Sequence, residues 1–219
     1  HDTVAQNTPK LNVAIGNHAM GDVDSTDVAN RTTGNYNVAI GAYSVSKVIS
    51  GYGNSCIGYH SGKLLTTGWG NVAFGQNTLI TEDTGQISIA IGTEALMNQS
   101  IPVDAEDASA SQSHNVAIGY RAGRNLTSGR FNIFFGSDSG YGIVTGNNNI
   151  GIGKSALNDL TSGEYNIAIG SNAGEVITTS DDNIAIGYEA AKALSTGYSN
   201  TYIGKQSGVN TTIGYQNTA

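Results

Sequence analysis

A chain of 219 residues is long enough for one sizeable core, yet only 12% of it is charged, 38% is hydrophobic and 30 residues are glycine, a balance that suits neither an ordinary mixed core nor a disordered segment. A net charge of −7 with ten thinly spread Lys and Arg argues against nucleic acid or an anionic membrane surface as partner, and no apolar run nears the roughly 20 residues of a membrane-spanning helix. The single cysteine, Cys56, excludes an internal disulfide framework.

In chain order, residues 1–10 form a lead-in. The sequence opens at His1-Asp2 without a leader pattern and reads as a mature or excised piece of something longer. From residue 11 the chain repeats itself. Asn-Val-Ala-Ile-Gly occurs at 12–16, 37–41 and 115–119, and Asn-Ile-Ala-Ile-Gly at 166–170 and 183–187, with relaxed copies between and after them. The motif glycines fall at 16, 41, 58, 75, 92, 119, 136, 153, 170, 187, 204 and 214; eight of the eleven gaps are 17 residues, two are 25 and 27, and the last is 10. A fixed short period means one structural unit stacked on copies of itself. The fold class expected is all-β: a parallel β-solenoid of about twelve 17-residue coils, occupying 11–219 as a single repeat domain.

Numbering each unit from its motif glycine as zero separates the columns. Position −4 holds Asn12, Asn37, Asn54, Asn71, Asn115, Asn132, Asn149, Asn166, Asn183 and Asn200, which predicts a stacked asparagine ladder. Positions −3 and −1 are β-branched or aromatic (Val13 and Ile15, Val72 and Phe74) and share one strand face, predicted to point inward. Position +3 is small and +7 aliphatic (Leu65, Leu126, Leu160), the latter on a second limb facing the first. Glycines at zero and −7 bracket the strand as turns. Twelve rungs spaced about 4.8 Å apart give a rod of roughly 55–60 Å. Position −2 is also apolar (Ala39, Cys56, Ala73, Phe134), although it points away from −3 and −1. A strand apolar on both faces needs a cover on the second, and an identical chain packed around a shared axis, where only small residues fit, supplies one. The other reading is a lone solenoid with a bland alanine face.

Two units are stretched, with insertions within 18–33 and 97–113. Such insertions project as loops, often on the binding face. Asp24 and Asp104 lie in them and are candidate receptor contacts. The Asp-x-Asp-x-x-Asp run at 22–27 lacks the glycine and distal glutamate of a calcium loop and reads as a solvated acidic loop. Tyr52, Tyr59, His60 and Trp69 fall in two neighbouring units and are candidate glycan contacts, set against simple stacking of rings along a sheet. Glu164 and Asp181 share column −6 on adjacent rungs, a spacing near that of a retaining glycosidase pair, with a repelling surface pair as the plainer reading. The sequence shows no nucleophile–histidine spacing, phosphate loop or metal-ligand cluster, so no cofactor, no metal and no catalysis are expected.

Asn-x-Ala-Ile-Gly-x-x-Ala in tandem over 11–217 resembles the β-roll heads of trimeric autotransporter adhesins, and with Thr-Thr-Gly ahead of it resembles repeat stretches of bacteriophage tail-fibre proteins. The 17-residue period, against about 14 in adhesin heads, favours the phage side. The resemblance implies a left-handed β-roll, a homotrimer and a location in the virion tail fibre or on the bacterial cell surface. The function it implies is that of a structural and adhesive segment presenting a surface to a host glycan or protein receptor. A tail-spike-like glycan depolymerase is the enzymatic alternative.

Overall fold

The structure, a computed structural model, describes residues 11–21, 33–102, 112–142 and 144–219. Each repeat contributes one three-residue strand. Strands β1 (Val13–Ile15), β2 (Val38–Ile40), β3 (Ser55–Ile57), β4 (Val72–Phe74), β5 (Ile89–Ile91), β6 (Val116–Ile118), β7 (Ile133–Phe135), β8 (Ile150–Ile152), β9 (Ile167–Ile169) and β10 (Ile184–Ile186) pair in chain order, all parallel. After β11 (Thr196–Tyr198), β12 (Thr201–Ile203) closes this eleven-stranded sheet, and β11 pairs in parallel with β13 (Ile213–Tyr215). The chain is a parallel β-solenoid of about ten turns. Register is column on column: Val13 lies beside Val38, Ala39 beside Cys56, and Ile91 beside Ile118. The pairs β1–β2 and β5–β6 keep this register across the 25- and 27-residue units.

The facing of the strand is the reverse of the sequence expectation. Column −2 is the inward one: Ala39, Cys56, Ala73, Ala90, Ala117, Phe134, Ala168 and Ala185 are fully buried. Columns −3 and −1 point outward and are half-buried or exposed, with Ile57, Phe74, Ile133 and Phe135 among the exposed large apolar residues. Alternation holds, but the coil is too thin to take two branched side chains per rung from the strand. The small column goes inside, where it meets buried Leu65, Leu126, Leu160, Ile177 and Leu194 at +7, as expected of the second limb. The small residues cover no shared axis; the outward apolar face is the large one.

The end of the repeat also differs. Gly214 is not a motif glycine. It pairs with Gly197 in column −7, while Asn217 continues the ladder by donating its backbone N–H and Nδ2 to Asn200 Oδ1. The last gap of 10 is a shift of column, and the 17-residue period runs on to Thr218, which bridges to Thr201.

Outside the strand the coil turns on left-handed residues. The 26 described non-glycine residues with positive φ occupy three columns: +2 (Tyr43, Arg121, Glu189), +4 (Val45, Leu96, Leu157) and −5 (Tyr36, Ile87, Tyr165). Such residues cost on the order of 1 kcal/mol each. Rung-to-rung hydrogen bonds hold them, for example Tyr43 N to Asn17 O and Val45 N to Ser61 O. Motif glycines at zero lie at φ from 119 to 138, which side chains rarely adopt. Most glycines at −7 have ordinary φ and are required by close approach instead: a Cβ on Gly51 would sit 2.5 Å from Gly68 O.

The asparagine ladder is present, and all ten predicted members belong to it. Asn12 is half-buried at the first rung, while Asn37, Asn54, Asn71, Asn115, Asn132, Asn149, Asn166, Asn183 and Asn200 are buried. In the first stretch Asn12 Oδ1 accepts the Asn37 N–H, Asn37 Oδ1 accepts the N–H and Nδ2 of Asn54, and Asn54 Oδ1 those of Asn71. In the second, Asn115 Oδ1 accepts the Asn132 N–H, and Asn132, Asn149, Asn166 and Asn183 each accept both donors of the next asparagine, up to Asn200. Each Nδ2 also donates to a column −7 carbonyl of the next rung, as Asn37 does to Gly51 O and Asn132 to Gly146 O. Every amide is thus spent inside the coil, which leaves these residues structural.

The ladder breaks at Ser88. There Gln99 reaches across from the +7 column: its Nε2 donates to Ser88 Oγ and to Glu82 Oε2, and its Oε1 accepts Asn115 Nδ2. Glu82 and Gln99 thus replace the usual aliphatic pair at +7, and both are fully buried. Burial pushes the Glu82 carboxyl above the ordinary carboxylate range, opposed by hydrogen bonds from Gln99 and from the N–H groups of Gly85 and Ile101.

A carboxyl whose folded pKa is raised binds its proton more tightly folded than unfolded. Its contribution is therefore greatest below the ordinary carboxylate pKa and declines as pH rises from there toward the folded value. Gln99→Leu alone, which strands the carboxylate, should cost about 2–4 kcal/mol at neutral pH. The triple variant Glu82→Leu/Ser88→Asn/Gln99→Leu, which restores the column pattern, should gain on the native chain between about pH 4 and pH 7. Urea unfolding of both proteins at the two pH values checks this, and a stability gap that does not change with pH would refute it.

Candidate functional site

The corner that follows the strand carries the most chemically varied surface. On the first three rungs column +2 holds His18, Tyr43 and His60, each in the left-handed conformation. His18 stacks on Tyr43 with centroids 5.1 Å apart and planes at 14°; His60 meets Tyr43 edge-on at 5.4 Å and stacks on Tyr59 at 3.8 Å. The Lys63 ammonium lies 6.0 Å from the Tyr43 ring centroid. Together with Lys47 these groups line a cleft of about 580 Å³. Burial and the nearby Lys63 charge lower the His60 pKa, with a hydrogen bond to Asn77 acting the other way. His60 is therefore a neutral donor and acceptor at pH 7.

Farther along the rod the same corner is charge-paired. Arg124 binds Glu94 at 2.7 Å, Arg121 binds Asp138 at 2.8 Å, and Lys192 binds Glu189 at 2.9 Å. Among the described residues neither Lys47 nor Lys63 pairs with a carboxylate. Rings recur at this corner farther on, where Arg121 lies over Tyr120 and Tyr141 and Lys205 near Tyr188, but only the first three rungs bring two histidines, two tyrosines and two lysines unpaired among the described residues into one cleft.

Of the expected contacts, Tyr59 and His60 sit in this cleft. Tyr52 and Trp69 form a separate parallel stack, with centroids 5.4 Å apart and planes at 2°, in column −6 at the other end of the strand. The four residues thus make two patches. Asp24 and Asp104 lie outside the described residues. Tyr43, Lys47 and Lys63 were missed; the signal for Tyr43 was its place in column +2 between His18 and His60, where all three residues carry rings.

The remaining candidates resolve into scaffold. Asp181 Oδ1 accepts the Glu164 N–H and Glu164 Oε1 accepts Asn147 Nδ2, so each carboxylate is engaged in rung-to-rung bonding along column −6. The Cys56 thiol is fully buried, and desolvation pushes it up to about 12, which makes it core filler. Threonine hydroxyls are also bonded between rungs, as Thr161 on Thr178 O and Thr178 on Ser195 O. No protein family matches the chain, and no curated protein or solved structure is significantly similar to it.

Proposed function

We propose that the chain is a structural and adhesive fibre segment, three copies packed side by side, which presents a receptor-binding surface to a host cell as part of a phage tail fibre. The observation that carries this is the outward face of the eleven-stranded sheet. Its two columns set Val13, Ile57, Phe74, Ile89, Phe135, Ile169 and Ile203 in one stripe, about 50 Å long at the usual strand spacing. Isolated surface apolar residues need no explanation, but an unbroken stripe of this length exceeds what monomeric proteins usually leave in water. Identical copies supply an equally long, equally regular apolar partner. The 17-residue period with its Thr-Thr-Gly element supports a phage fibre over a bacterial adhesin head.

Ile133→Lys/Phe135→Lys tests it. Both residues are exposed in the single chain, so the coil should still fold. Sedimentation equilibrium should give the mass of three chains for the native protein and of one for the double variant, with assembly weakened at least about a hundredfold. The variant should also lose retention on a panel of bacterial strains. A native chain that sediments as a monomer at micromolar concentration overturns the proposal.

A further inference from the structure

We infer that the cleft over the first three rungs is a binding site for a carboxylate-bearing sugar unit of a glycan, held by Lys47, Lys63, Tyr43, Tyr59, His18 and His60. This deepens the adhesive reading above and rests on it for its biological setting. Three features of the cleft converge on that chemistry. Its volume of about 580 Å³ is within the range of small-ligand sites. Its two ammonium groups have no carboxylate partner among the described residues, in a protein of net charge −7. Its other groups are phenols and imidazoles, which combine ring surface with hydrogen-bonding edges and suit a hydroxylated ring. Tyr43 and Tyr59 remain exposed despite their mutual contacts.

The ligand would be bound as follows. The carboxylate would lie toward Lys47 and Lys63, and the sugar hydroxyls toward the phenols and the neutral imidazole of His60. An anion placed there offsets the Lys63 charge that disfavours protonation of His60. The groups that face His60 are Lys63, Asn77, Tyr43 and Tyr59. The lining named is that of the described residues; the acidic insertion at 22–32 lies outside them.

The test is titration calorimetry on the intact chain with three carboxylated probes: trigalacturonate, a hyaluronan tetrasaccharide and sialyllactose. Galactotriose and inorganic phosphate serve as controls, and the His60 ring signals are followed by NMR. At least one acidic sugar should bind about tenfold or more tighter than galactotriose. Its binding should weaken about tenfold in Lys47→Ala/Lys63→Ala, survive in Lys63→Arg, and raise the His60 pKa. Unchanged melting of the double variant confirms that its fold is intact. No binding by any of the three sugars, equal binding of galactotriose, equal binding of free phosphate, or binding that survives the double variant each overturns the inference. Trimers that hold to cells equally well with and without the two lysines would leave the fibre reading standing and remove the cleft from it. Sugar binding by a chain that stays monomeric would do the opposite.

Discussion

Gly119→Ala should unfold the middle of the rod. Gly119 has φ +137, and a Cβ there would stand 2.6 Å from Gly136 O and 2.7 Å from Gly136 C, both backbone atoms of the next rung. No side chain can swing away, so the rungs must part or the strand must slip. The conformational strain alone is of order 1–3 kcal/mol, and the clash adds to it, for an expected loss of more than about 4 kcal/mol. Gly204→Ala is the control. Its φ is +123, but nothing lies within 4 Å of the added Cβ, so it should show the conformational cost without the clash. Denaturant melts of the two variants separate the terms. Equal losses would mean that rung-to-rung contact is not what fixes glycine in this column.

A second large effect comes from a volume exchange inside each coil. Column −2 and column +4 of one coil meet in the core. Where −2 is large, +4 is glycine: Phe134 with Gly140, Tyr202 with Gly208, and a Cβ on either glycine would run into its ring. Where −2 is small, +4 can be large: Ala73 with Leu79, Ala90 with Leu96, Gly151 with Leu157, all fully buried where a side chain exists. Phe134 is the largest fully buried side chain among the described residues, so Phe134→Ala should cost about 3–5 kcal/mol through the cavity it leaves. Gly140→Leu should be worse still, since the ring already fills the site. The double variant Phe134→Ala/Gly140→Leu recreates the pairing of the fourth and fifth rungs, and leucine tolerates the left-handed backbone there, as Leu79 and Leu96 show at φ 49 and 46. It should recover most of the stability lost by either single change. A thermodynamic cycle reads the coupling directly; additive losses would refute the exchange.

The period, the ladder and the inward +7 column were legible because each repeats the same residue type in the same place. The strand's facing was not. Residues that alternate apolar on both sides carry no sign, and the habit of placing large side chains inside gave the wrong one for a coil whose interior holds little more than alanine opposite leucine. Gly214 was assigned to the wrong column because Thr-Ile-Gly at 212–214 imitates the motif, while Asn217 beyond it kept the true phase. The left-handed columns were hard to read because Leu, Val, Glu, Arg and Tyr share them with Gly and Asn, so no single residue type marks them as the turns that Gly and Asn usually signal. Only two of the six residues of the candidate site were found, for a related reason. Tyr59 and His60 are adjacent in sequence, but Tyr43 and Lys47 join them only through stacking.

The asparagine ladder has a mechanical consequence. The chain runs across the rod axis, so a pull along that axis loads every strand bond, turn bond and amide bond of a junction at once, instead of one after another. Such a rod resists tension in proportion to the bonds per junction, and fails at the junction whose links are poorest. Even between Ser88 and Asn115, where the ladder's own amide link is absent, a glutamine from the opposite wall and a Ser88–Ser113 hydroxyl pair stand in for it. A rod built this way keeps its side-chain links even across the longer of its two stretched units.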